Sequence, residues 1–317
     1  LGAVLGTASA NLVNTGQIEV AGAAAFAMRT AQDLEATNSG RITVTGINAT
    51  GIASLGTATI LNNGKLDVQG AGSTAVSSTA NLTMVNNGEV AAGGIAVTTG
   101  GRLDLTNNGQ ITGASGIVVA PGSGPAKIVN QGYIFGSGGV AISLTNAADE
   151  LTLGSKSRIQ GLINLGGGGD TVNVTLSPGR SRIIVFDDLT NATINVTGTP
   201  SWQIVGNALV SLDATSLLMR HATISDMRNG IGDILENRVS QRLFQNDPER
   251  SFYVKAFGGG GSYGANKGAA AFATRKPGWS PAWRQRPPPI PWLAASLAAP
   301  GATPPHPARY RTAPTQP

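Results

Sequence analysis

The sequence predicts an all-β fold, a right-handed parallel β-helix solenoid, followed by an α-helical linker and a disordered proline-rich tail. Three observations carry that expectation. A pentapeptide, Asn-x-Gly-x-(Ile/Leu/Val), recurs six times at nearly even spacing; the apolar residues between its copies alternate with period two; and the composition changes abruptly after about residue 272. A fixed turn followed by a fixed inward apolar position, repeated about every two dozen residues, is what a stack of coils requires.

The repeats come first. Their asparagines are Asn14, Asn38, Asn62, Asn86, Asn107 and Asn130, and their glycines are Gly16, Gly40, Gly64, Gly88, Gly109 and Gly132. Their inward apolar residues are Ile18, Ile42, Leu66, Val90, Ile111 and Ile134. The glycines step by 24, 24, 24, 21 and 23 residues. After each glycine the apolar positions alternate, as in Ile42 and Val44 or Leu66 and Val68. Period two with β-branched residues reads as a strand with one buried face. A second apolar stretch, such as Ile95-Ala96-Val97, sits mid-repeat, so each repeat offers two or three short strands. Successive coils of a parallel β-helix lie about 4.8 Å apart. The six apolar residues then form one internal ladder, and the six asparagines form a second at a bend, their amides bonding one another and the turn backbone. The glycine is expected to take a positive φ closed to larger residues.

Residues 1–145 carry the repeat, and 146–210 read as closing coils of atypical sequence that hide the last apolar layer. Together, residues 1–210 form the solenoid domain. Over 211–250 the pattern becomes helical: Ser225 and Asp226 cap a helix to about 246 whose apolar positions include Met227, Ile231, Ile234, Leu235, Val239 and Leu243, and Pro248 stops it. Such a helix is roughly 33 Å long. Residues 251–272 open with the alternating aromatic run Phe252-Tyr253-Val254-Lys255-Ala256-Phe257, which reads as a membrane-barrel strand. Over 273–317 prolines crowd in among arginines and alanines, a composition unable to supply ladder hydrogen bonds. The expectation is that the tail is an out-of-frame reading of a GC-rich gene, the alternative being a polyproline ligand around Pro287–Pro291. The opening inside a repeat, with no Met or leader-like segment, leads to the expectation that the chain is part of something longer.

Composition removes several function classes. There is no cysteine, which excludes disulfides and zinc–thiolate sites. The formal charge of +5 is a property of the tail: from Gly268 onward there are six basic residues and no acid, and removing those six from 22 leaves 16 basic against 17 acidic. No basic stripe remains to neutralise phosphates, so nucleic acid is not an expected partner.

The chemistry of catalysis is equally sparse. A nucleophilic serine needs a base, and the only histidines are His221 and His306, with no Gly-x-Ser-x-Gly elbow. Polysaccharide-cleaving solenoids cluster carboxylates across coils; here Glu19 and Asp67 share a register with Thr43 between them. Two coils separate those carboxylates by about 10 Å, beyond the ~5–5.5 Å of retaining glycosidases. The Gly-rich run at 166–170 approaches a calcium nonapeptide, but its Asp170 comes one residue early and the motif occurs once. Gly259, Gly261 and Gly264 match a dinucleotide fingerprint without the strand–helix unit that gives it meaning. The sequence therefore leads to no catalytic, cofactor or metal residues, and the chain is read as not an enzyme.

The ordered series of repeats, Gly-rich turn at 166–170, connector at 210–215, helix at 224–243 and aromatic strand at 252–261 resembles a bacterial autotransporter (type V secretion). The resemblance covers residues 1 to about 272. It implies a β-helical passenger acting as a stalk or adhesin at the cell surface, facing a host or neighbouring cell, with the helix lying inside an outer-membrane barrel. The sequence departs from the family where the remaining strands, roughly a dozen, should follow. That departure implies a truncated translocator, and a product that is periplasmic or not exported. The alternative is the non-catalytic stem of a secreted polysaccharide-active enzyme or peptidase whose catalytic domain lies upstream.

Overall fold

A computed structural model describes residues 2–198, 200–244, 260–263 and 272–275. The repeats wind into a parallel β-solenoid of about 8 turns. Of the two or three strands expected per repeat, each coil before Gln110 carries three. The coil that begins at Thr50 consists of Thr50–Ser54, Ala58–Asn62 and Lys65–Gln69. Each of these pairs in parallel with its counterpart one coil on: Thr74–Ser78, Leu82–Asn86 and Glu89–Ala92. The middle strands of all coils form one nine-stranded sheet. The two outer faces merge from Gln110 onward, because Gln110–Val119 and Tyr133–Ser143 run through the corner without a break.

The register stacks like on like. Ile18, Ile42, Leu66, Val90, Ile111 and Ile134 are successive partners, and the ladder continues to Ile159. Ile42 to Ile134 of that row are fully buried, whereas Ile18 in the first coil is half-buried. Each buried aliphatic side chain contributes roughly 1.5–3 kcal/mol by leaving water. Parallel rows from the other faces, Met28–Ile52–Val76–Val97 and Ala58–Leu82–Leu103, complete a narrow dry core.

Positive φ does not explain the repeat glycines. The left-handed positions belong to a different corner, where Gly22, Gly46 and Gly70 and then Ala24, Asn48 and Gly72 recur one coil apart. Gly40, Gly64, Gly88, Gly109 and Gly132 are instead required by space. A Cβ on any of them would drive into the carbonyl oxygen of the repeat glycine one coil below, and only Gly16, with no such neighbour, has open room.

The closing region also differs from the expected parallel coils. Parallel stacking persists through Glu150–Leu153, Thr171–Thr175 and Thr193–Thr197. The end is then plugged by an antiparallel sheet of Arg182–Val185, Ala208–Leu212 and Ser201–Val205. Ile184, Phe186 and Leu209 from this cap are buried against the last coil. An antiparallel return is the simplest way to stop a solenoid, because the chain folds back instead of presenting another edge.

The helix runs Thr215–Phe244, beginning ten residues before the expected Ser225 cap. Asp213 is the true N-cap: its Oδ1 accepts the Thr215 N–H at 2.8 Å, and its Oδ2 accepts the Gly179 N–H at 2.8 Å. At 30 residues the helix is about 45 Å long. Among the described residues no helix is long and apolar enough to cross a membrane. The barrel-strand reading of 251–272 and the tail reading of 273–317 fall outside the described residues, apart from a short antiparallel pair, Gly260–Tyr263 with Phe272–Arg275.

Candidate functional site

The asparagine ladder is built from the inside of a corner. Each side chain from Asn38 to Asn130 is fully buried, and each Nδ2 donates to the Oδ1 of the next at 2.8 Å from Asn14 through to Asn130. The same Nδ2 groups reach backbone carbonyls of the turn, such as Asn62 to the carbonyl of Glu89 at 3.2 Å. Ser157 ends the row, its Oγ accepting from Asn130 Nδ2 at 2.7 Å. Every polar atom is spent inside the row, so the ladder has nothing left with which to hold a ligand.

Glu19 and Asp67 are not brought together. They lie two coils apart on an outward face with Thr43 between them. His221 is exposed on the helix, and His306 lies outside the described residues. Among the described residues no group of three or more His, Asp or Glu side chains is placed to hold a metal ion.

Two cavities flank the closing coils. The first, about 450 Å³, is lined by Asn146, Asn164, Asp170, Asp187, Asp188 and Asn191 among others. Here the four glycines Gly166 to Gly169 all take positive φ, which bends the chain tightly enough to bring Asp170 inside. Asp170 is buried and its Oδ1 accepts the Asp149 N–H at 2.9 Å. Asp149 in turn accepts the N–H groups of Ala126 and Thr145. Burial, and then the neighbouring Asp149 and Asp187 charges, push the Asp170 carboxyl above its ordinary value despite the hydrogen bond it accepts. These aspartates serve as staples between loops.

The second cavity, about 530 Å³, is lined by residues 157–159 and 179–184. It lies where Arg158–Asn164 and Arg182–Val185 run side by side, joined by a parallel bridge from Ile163 to Phe186. Arg158, Arg180 and Arg182 frame it, and Ile159, Ile183 and Ile184 supply apolar wall. The Arg158 guanidinium lies over the Tyr133 ring, 5.6 Å from its centre, and Tyr133 stacks on Phe135 at 6.1 Å. The Arg182 guanidinium donates to the Gly154 carbonyl at 3.3 Å and to the Ser155 carbonyl. Burial, and then the adjacent Arg180 charge, hold Arg182 below its ordinary value. The sequence analysis did not single out these arginines. Their signal is Lys156-Ser157-Arg158 and Arg180-Ser181-Arg182, two copies of a basic–Ser–Arg triplet one coil period apart.

Compared with family models, curated proteins and solved structures, the chain matches none.

Proposed function

We propose that this chain is a non-catalytic passenger stalk of the autotransporter kind, displayed at a bacterial surface to make many weak contacts with another surface. The observation that carries the reading is the order of parts: an uninterrupted parallel solenoid, an antiparallel cap, then a single helix capped by Asp213. A rod of this sort holds its end about 40 Å from its base with nothing but backbone pairing and one dry core. In a full relative the helix would thread the translocator and the solenoid would stand outside the cell. The test is attachment and chemistry together. Beads coated with the purified chain are expected to attach to host or neighbouring cells in proportion to coating density, with no release of sugars or peptides from polysaccharide or protein substrates. Attachment no greater than that of albumin-coated beads would overturn the stalk, and measurable hydrolysis would favour the stem of an enzyme.

A further inference from the structure

We propose that the cavity framed by Arg158, Arg180 and Arg182 binds the acidic group of a glycan, a carboxylate or sulfate carried on a sugar ring. This deepens the surface-attachment reading and rests on it for the source of the ligand. The first observation is a cluster of like charges that no acid among the described residues offsets. Along the body of the solenoid, Lys65 pairs with Glu89 at 2.8 Å and Lys127 with Glu150 at 3.3 Å, whereas Arg41, in register beside Lys65, pairs with no carboxylate among the described residues. Lys156, Arg158, Arg180 and Arg182 pair with no carboxylate among the described residues. Asp213 reaches the same loop, but its oxygens are committed to the Gly179 and Thr215 N–H groups. Like charges brought together on neighbouring strands destabilise a sheet. Burial and Arg180 together disfavour the Arg182 charge, and an incoming oxyanion offsets the like-charge repulsion.

The second observation is the cavity itself. About 530 Å³ holds a sugar-sized group, and guanidinium forks match planar and tetrahedral oxyanions with paired hydrogen bonds. Arg158 is held in place by Tyr133, and Arg182 by two backbone carbonyls, so little ordering is left for binding. Ile159, Ile183 and Ile184 offer an apolar wall for the C–H face of a ring. Single-stranded nucleic acid fits less well: it needs free aromatic platforms, and the Tyr133 ring is covered by Arg158 and flanked by Phe135. The near-neutral body also lacks the long basic track a polyphosphate follows.

The test is calorimetric titration of the full chain with four probes: a hyaluronan hexasaccharide, a chondroitin sulfate hexasaccharide, neutral maltohexaose and hexathymidylate. The acidic sugars are expected to bind and maltohexaose is not; chondroitin sulfate, which adds sulfate to the carboxylate that hyaluronan also carries, binds more tightly where sulfate is recognised and equally where carboxylate suffices. Arg180→Glu, whose side chain makes no contact the fold relies on, is expected to weaken binding by about tenfold or more with an unchanged circular dichroism spectrum. Lys127→Gln, on the other side of the solenoid, is expected to leave binding unchanged. Equal binding of maltohexaose, tighter binding of hexathymidylate, an unaffected Arg180→Glu, or no heat with either acidic sugar would each overturn the proposal. Bead attachment that persists on cells stripped of acidic glycans overturns this ligand and leaves the surface role standing; calorimetric binding without attachment does the reverse.

Discussion

Asn62 shows what one side chain contributes when its environment is repeated. Its Oδ1 accepts from Asn38 and its Nδ2 donates to Asn86, both at 2.8 Å, at a site with no exposure. Asn62→Ala leaves the Asn86 oxygen without its partner and the Asn38 amide with only its bond to the Lys65 carbonyl, where water does not reach. Each stranded group costs about 1–3 kcal/mol, so a total loss of about 2–4 kcal/mol is expected in urea unfolding. The neighbouring glycine separates space from conformation. Gly64→Ala forces a methyl against the Gly40 carbonyl, while the same change at Gly16 meets nothing within 4 Å. The first is expected to cost at least about 2 kcal/mol and the second less than about 0.5 kcal/mol. Equal losses at both sites would show that φ, not coil spacing, selects glycine there. The spacing of these residues was legible in the sequence, since their period alone places them over one another. The cause of the glycine was not, because a repeated Gly reads the same whether a turn or a neighbouring backbone demands it.

The start of the helix depends on Asp213, which ties three segments together: the helix through Thr215, the 179–181 loop through Gly179, and the end of the cap strand. Burial acts to raise its carboxyl, but hydrogen bonds from Thr215 and Gly179 outweigh it, and its folded value is depressed. A depressed acid stabilises the fold at pH above its unfolded value, near 3.9, and that contribution is lost as pH falls through the lower folded value. Asp213→Ala is therefore expected to cost about 1–2 kcal/mol at neutral pH. The folded protein is expected to lose helical dichroism on acidification below about pH 4, and Asp213→Asn, which keeps a cap without the charge, is expected to flatten that loss. An unchanged acid transition in Asp213→Asn would remove this carboxylate from the account. The element was readable only in part. The sequence placed helix over 225–246, but Leu217, Leu218 and Met219 in its early turns are exposed and carry no apolar stripe by which to extend it. The cap was similarly opaque, because alternation along Trp202 to Val205 is the same whether the strand pairs parallel or antiparallel.

At the scale of the molecule, each coil touches only the coils above and below it, so the coil and not the strand is the unit that can be gained or lost. Residues 63–86 make one complete turn: removing them joins Asn62 to Asn87-Gly88 and so preserves the Asn-x-Gly corner. It also lets Asn62 donate to Asn107 and Ile42 lie under Val90, the same inward position of the next coil. In a quasi-one-dimensional stack, stability is close to a sum of coil terms and nearest-neighbour terms. This deletion is expected to keep the β-rich dichroism and a single cooperative urea transition, with the slope reduced by about one part in eight, because the slope follows the surface exposed on unfolding. Removing residues 63–74 instead takes out half a turn. It brings the remaining Ala75–Ser78 face beneath the corner that Asn62 needs, and register cannot be recovered without turning apolar rows outward. That shorter deletion is expected to abolish cooperative unfolding altogether. If the half-coil deletion folds as well as the full-coil deletion, the corner and its asparagine row do not set register, and the core rows alone must be doing so.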